Sequence, residues 1–134
     1  MTCKQIPLEQ SAFEGINSSI QPDNAEFYTD IIEGHVASAS FTYLDNDIIK
    51  DLKARNKDGK WFYFNRLIVP PKLRRRNLAT DLMNKVVEWA DRGKVNILNE
   101  INPYGDLDME QLIEFYKKYG FEVIENNLMV RYHK

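Results

Sequence analysis

Cysteine is almost absent from this chain of 134 residues, Cys3 being the single one. An internal disulfide and a cysteine-based zinc site are excluded, and the composition suits a reducing compartment, so a cytoplasmic location is expected. Histidine is scarce too. His35 sits in a turn signal and His133 beside the C-terminus, neither with the neighbours of a triad or a ligand cluster, so no catalytic histidine and no metal are expected. No apolar run approaches the ~18 residues that would span a membrane, and no signal-peptide pattern follows Met1-Thr2-Cys3-Lys4-Gln5. Net charge is small as well. The 18 Lys and Arg against 20 Asp and Glu leave −2, which supplies no global attraction to nucleic acid or anionic lipid. Repeats, low-complexity tracts and linker-like stretches are missing, so residues 1–134 are expected to form one domain.

What is present is a core. Hydrophobic residues make up 43% and aromatics 12%, enough to exclude disorder as the main description. Residues 1–24 are weakly patterned, broken by Pro7, Gly15, Asn17-Ser18-Ser19 and Pro22, with room for a short helix near Leu8–Phe13. The runs 27–32 and 36–43 read as strands joined by a tight hairpin at Glu33-Gly34-His35. Residues 44–60 carry mixed charge and read as an exposed connection, with one helical turn around Ile48, Ile49 and Leu52. Trp61 to Val69 is the strongest strand pattern and should be central. Pro70-Pro71 ends it. Leu78, Ala79, Leu82, Met83, Val86, Val87 and Ala90 then form an apolar helical stripe closed by Gly93. Residues 95–98 read as a strand. Asp108 and Gln111 form a capping-box signature for a helix over 109–119, and residues 121–124 and 128–132 form a hairpin over Asn126-Asn127. The predicted order β-β-β-α-β-α-β-β defines an α/β class with a mixed sheet and helices packed on it.

The informative segment is Val69-Pro70-Pro71-Lys72-Leu73-Arg74-Arg75-Arg76-Asn77-Leu78-Ala79-Thr80, where a central strand breaks, passes four cations and enters an amphipathic helix. The first N–H groups of a helix lack intrahelical partners and its dipole is positive there, so a phosphate or diphosphate is the natural ligand. A solvated helix start and a local RNA patch are the competing readings of the arginines alone.

Here the chain resembles the GNAT superfamily of N-acetyltransferases, in particular its small, single-domain phage- and bacterial-type members. The family pattern Arg/Gln-x-x-Gly-x-Gly/Ala after a Val-x-Pro-like step stands as Arg74-x-x-Asn77-x-Ala79 after Val69 and Pro71. Asn77 replaces the usual glycine, and asparagine is the residue after glycine that best tolerates left-handed backbone. A second match is Phe115-Tyr116-Lys117-Lys118-Tyr119-Gly120-Phe121, similar to the family's Phe/Leu-Tyr-x-x-x-Gly-Phe segment. The resemblance covers about residues 26–132 and implies a twisted mixed sheet of six to seven strands flanked by helices.

It also implies acetyl-CoA as co-substrate and direct acetyl transfer to a primary amine of a small molecule or a protein. Arg74, Arg75, Arg76, Asn77, Leu78, Ala79 and Thr80 would hold the diphosphate. Leu67, Ile68 and Val69 would pair with pantetheine like an added strand, provided the sheet opens beside them. The family's frequent asparagine ahead of the tyrosine is Met109 here, so that pantetheine contact is either missing or supplied by Asn99 or Asn102. Tyr116 matches the general acid: a phenol of pKa about 10 can protonate a departing thiolate. Taken without the family, Tyr116 reads as core. Glu100 is the nearest carboxylate for the amine's proton, with Asp106, Asp108, a water chain and a solution-deprotonated amine as competitors. A non-catalytic acyl-CoA-binding regulatory module and an RNA-binding protein are the rival functions. No nucleic-acid or membrane partner is expected, and exposed strand edges leave a homodimer open.

Overall fold

The computed structural model describes residues 15–45, 58–103 and 107–134. The expected turns near Leu8–Phe13 and Ile48–Leu52, the segment 104–106 with Asp106, and Cys3 lie outside the described residues. The elements are β1 (Ile16–Ile20), β2 (Asn24–Thr29), β3 (Ser38–Leu44), β4 (Lys60–Ile68), a 3-10 turn (Pro71–Leu73), α1 (Leu78–Arg92), β5 (Val95–Glu100), α2 (Met109–Lys117), β6 (Glu122–Glu125) and β7 (Leu128–Arg131). Seven strands form one sheet in the order β1-β2-β3-β4-β5-β7-β6. β4 is central, as its dense aromatic and aliphatic pattern predicts, and β4–β5 is the parallel pair, the crossover between them carrying α1.

Two local readings change. β1 falls in the segment read as unpatterned: its Asn17-Ser18-Ser19 centre carries no apolar alternation, because an edge strand is held by its neighbour's backbone, here along Ile16–Ile20 with Thr29–Ala25. The β2–β3 connection spans residues 30–37, with an isolated Ile32–His35 bridge at its tip, so Ile31 and Ile32 lie outside the ladder. Gly93 caps α1 as predicted, its N–H donating to the Trp89 carbonyl (2.9 Å), and Lys94 after it is left-handed at φ 55°.

The main hydrophobic cluster joins Phe27, Phe41, Phe62, Phe64 and Ile97 of the sheet to Leu82, Met83, Val86 and Ala90 of α1 and Tyr116 of α2. Trp89 extends the α1 stripe, its ring 5.1–5.4 Å from those of Phe27, Phe41 and Phe62. A smaller cluster centres on Trp61 and Val130 with Leu98 and Tyr132. The capping box at α2 forms as predicted: Gln111 N–H donates to Asp108 Oδ1 (2.8 Å) and Asp108 N–H to Gln111 Oε1 (3.0 Å).

Arg131 ties the C-terminal hairpin to both helices. Its side chain, 1% exposed, makes a bidentate pair with Asp91 (2.9 and 3.1 Å) and donates to the Tyr119 carbonyl (2.6 Å). Gly120, at φ 94°, lies against it, and a Cβ there would come within 3.2 Å of Arg131 Nε. Burial alone would raise the Asp91 carboxyl, but hydrogen bonds from Arg131 and the Lys134 backbone, with their positive charges, hold it below its ordinary value. Asp91→Asn is expected to cost about 2–3 kcal/mol in urea unfolding at pH 7, less than a fully buried pair because Asp91 remains 30% exposed. Because the folded-state pKa is depressed, the parent's advantage is complete above the unfolded carboxylate value of about 4 and vanishes as pH falls through the lowered one.

Candidate active site

β4 and β5 pair only from Lys60–Val95 to Tyr63–Leu98, and then part. Just beyond, β4 bulges: Ser40 of β3 pairs with Arg66 while Phe41 pairs with Phe64, leaving Asn65 as the extra residue. The insertion resets the alternation, so that Leu67 and Val69 pack on the main cluster with Phe62 and Phe64. The opening has two lobes sharing Leu67, Leu112 and Tyr116. One, of about 470 Å³, runs past Val69, Leu73, Arg74, Arg75 and the start of α1 to Phe115 and Leu107. The other, of about 120 Å³, lies between the parted strands and is lined by Tyr63 to Leu67, Asn99 to Asn102, Leu112 and Tyr116.

The larger lobe ends at the N-terminus of α1. Asn77 adopts φ 61°, ψ 24°, the left-handed geometry for which asparagine is suited, and makes no side-chain cap. The first intrahelical bond there runs from Asp81 N–H to the Asn77 carbonyl (3.0 Å), so the amides of Leu78, Ala79 and Thr80 precede the ladder at the groove wall. Arg75 is left-handed as well, at φ 67°. Arg74 Nε donates to the Val69 carbonyl (3.4 Å). Arg76 leaves the groove lining and pairs with Glu33 of the β2–β3 connection (3.2 Å). Asp81, also in the first turn, has its carboxyl raised by burial.

Of the other predicted residues, Leu67 and Val69 line the larger lobe, whereas Ile68 is 41% exposed and lines neither. Tyr116 is buried among Phe64, Phe115 and Phe121 yet reaches both lobes. Glu100 and Asn102 line the smaller lobe, Asn102 Nδ2 donating to the Glu100 carbonyl (3.4 Å).

Tyr63 escaped the sequence reading, which placed it only within the central strand. Its hydroxyl donates to Glu100 Oε1 (3.2 Å). Burial, the Glu100 charge and this hydrogen bond raise its pKa, so at neutral pH the phenol stays a donor. The signal was the alternation itself: Phe62 and Phe64 face the main cluster, and Tyr63 between them faces away. His133 is buried, with Nε2 3.0 Å from the Asp58 carbonyl, and stands apart from both lobes. Among the described residues no group of three His, Cys, Asp or Glu is arranged to hold a metal ion, and no helix is long and apolar enough to cross a membrane.

The result is a mixed sheet whose central parallel strands part beside a cationic helix N-terminus. Residues 33–123 match the family model described as acetyltransferase (GNAT) domain, and the chain belongs to that family. Its fold is similar to that of Arabidopsis thaliana NAA60 in complex with a bisubstrate analogue (TM-score 0.59, 18% identity, 84% of this chain and 76% of that one). It is similar also to A. thaliana Naa50 bound to the bisubstrate analogue CoA-Ac-MVNAL (TM-score 0.55, 15% identity, 81% and 71%). An acyl-CoA N-acyltransferase from Pseudomonas aeruginosa shares the fold too (TM-score 0.53, 16% identity, 81% and 67%). Among curated proteins no relative was found by sequence.

The left-handed turn can be tested apart from any ligand. Asn77→Gly is expected to leave thermal stability within a few tenths of a kcal/mol, whereas Asn77→Ala should cost about 1 kcal/mol through strain at positive φ, read from paired denaturation curves.

Proposed function

We propose that this chain is an N-acetyltransferase that moves an acetyl group from acetyl-CoA directly to a primary amine. The observation that carries the reading is that the two lobes share Leu67, Leu112 and Tyr116. A helix N-terminus suited to a diphosphate opens into a groove that ends between parted strands, beside a tyrosine and a hydrogen-bonded carboxylate. The amides of Leu78, Ala79 and Thr80, with Arg74 and Arg75, would hold the diphosphate, and the β4 edge over Leu67 to Val69 would take the pantetheine arm as a strand. When bound, the thioester supplies an activated acyl carbon. Arg76, paired with Glu33, would act on the turn's geometry and local charge rather than by direct contact.

The residues around the smaller lobe then divide the proton work. Tyr116 gives its phenolic proton to the departing sulfur. A lysine-like amine is less than ~0.1% neutral at pH 7, so its proton must be taken up, and Glu100 is the carboxylate at the lobe. Tyr63 holds Glu100 by one oxygen and leaves the other for the amine or an intervening water. The partner this requires is an amine acceptor, a small molecule or a protein lysine or N-terminus.

The test is calorimetry with acetyl-CoA, followed by intact-mass measurement of an amine and protein panel incubated with labelled acetyl-CoA. Tyr116→Phe is expected to lower kcat by about 100-fold while acetyl-CoA affinity stays within about threefold. Absence of heat at millimolar acetyl-CoA overturns the reading. Binding without turnover on any amine would favour an acyl-CoA-binding module instead.

A further inference from the structure

Several polar side chains around the smaller lobe are engaged with one another or with their neighbours. Tyr63 donates to Glu100 (3.2 Å), Asn65 Nδ2 to Thr42 Oγ1 (2.8 Å) and Asn102 Nδ2 to the Glu100 carbonyl (3.4 Å). Asn99 is 4% exposed, and its Nδ2 has no hydrogen-bond partner among the described residues. It follows Leu98, the last residue of β5 to pair with β4, and lines the lobe together with Leu67 and Tyr116. Ile97 and Ile101, on the same side of the strand, are buried in the main cluster. An apolar residue at position 99 would continue that surface, so the amide is a cost to folding unless something else satisfies it.

An amide NH2 donates, so its missing partner is an oxygen or another acceptor. The acceptor amine, protonated until it reacts, brings donors. The diphosphate belongs to the other lobe, at the α1 N-terminus. Two kinds of oxygen remain near the parted strands: the amide carbonyls of pantetheine, which the β4 edge would pair with, and the carbonyl oxygen of the thioester, where Tyr116 would meet the sulfur. We propose that Asn99 is a catalytic residue whose Nδ2 donates to the thioester oxygen and stabilises the charge it acquires as the amine adds.

This inference rests on the acyl-transfer reading above. The step balances: the amine lone pair forms the C–N bond and the carbonyl π pair moves to oxygen, toward Asn99. As that pair returns, the C–S bond breaks with its electrons on sulfur. Tyr116 supplies the sulfur's proton, and Glu100 or water takes the proton from nitrogen. The donor is placed before the reaction begins and needs no reorganisation when charge develops, the condition under which such a contact is most effective.

Infrared difference spectroscopy of bound acetyl-CoA carrying a ¹³C carbonyl tests the contact directly. The parent is expected to lower the carbonyl stretch relative to solution, and Asn99→Leu and Asn99→Ala to return it to the solution value. Both variants should lose about 100-fold in kcat, with desulfo-CoA affinity measured by calorimetry unchanged within about twofold. Asn99→Leu should unfold at the parent's temperature or above, because it removes an unsatisfied buried amide, and Asn99→Ala provides the same test if leucine fails to pack. An unshifted stretch in the parent, or a stretch and kcat unchanged in the variants, overturns the proposal while leaving acyl transfer standing. Equal loss of desulfo-CoA binding and rate would make Asn99 a pantetheine contact and also overturn it. A parent that binds no acetyl-CoA overturns the acyl-transfer reading itself, and this proposal with it.

Discussion

The parting of β4 from β5 is the constraint on which the rest of the molecule depends. Two neighbouring strands in the middle of a sheet would ordinarily pair along their whole length, because each unpaired buried N–H or C=O is costly. Here β5 continues from Ile97 to Glu100 alongside β7, and the Ile101 amide bonds to the Asn127 carbonyl (2.7 Å), so its far half follows the C-terminal hairpin and not β4. β4, in turn, stays with β3 through Ile68 by admitting the bulge at Asn65. Each strand keeps one partner and gives up the other. The result is a strand edge facing a cleft in the interior of the sheet, the place where an extended ligand can complete the hydrogen bonding.

The two ends of α1 serve different purposes. At its C-terminus Asp91 receives the buried Arg131, which also holds the end of α2 through the Tyr119 carbonyl, so this corner is locked by charge-assisted bonds. At its N-terminus Asn77 and Arg75 adopt left-handed backbone, and the amides of the first turn face the groove. A firm base and an open, cationic mouth are thus built from one helix. The weak net charge of −2 is compatible with anion binding because Arg74 and Arg75 line that mouth locally, where the helix dipole adds to them.

Much of this was legible in the chain before any coordinates. The central strand, the α1 stripe, the capping box at Asp108 and the turn at Asn77 were all local: each is written in neighbouring residues whose propensities agree. β1 was not, since Asn17, Ser18 and Ser19 carry no apolar alternation and its pairing is decided by β2. Tyr63 was hidden for a related reason. In an aromatic run every residue looks like core, and only the side of the sheet that each one faces distinguishes Phe62 from its neighbour. Arg76 was grouped with Arg74 and Arg75 by composition, yet the left-handed backbone at Arg75 and Asn77 on either side accompanies its turn toward Glu33.

The amino-acid order by itself therefore determined the class of fold, the cationic turn into α1 and the tyrosine of the second motif, because short-range backbone geometry and hydrophobic period act over a few residues. Only tertiary structure decided where β5 abandons β4, which polar groups meet there, and that Asn99 Nδ2 is left without a partner among the described residues. Those facts come from residues such as Tyr63 and Glu100, 37 positions apart, and from a one-residue bulge that reverses side-chain direction. No local pattern encodes a contact that exists only once the sheet has closed on one side and opened on the other.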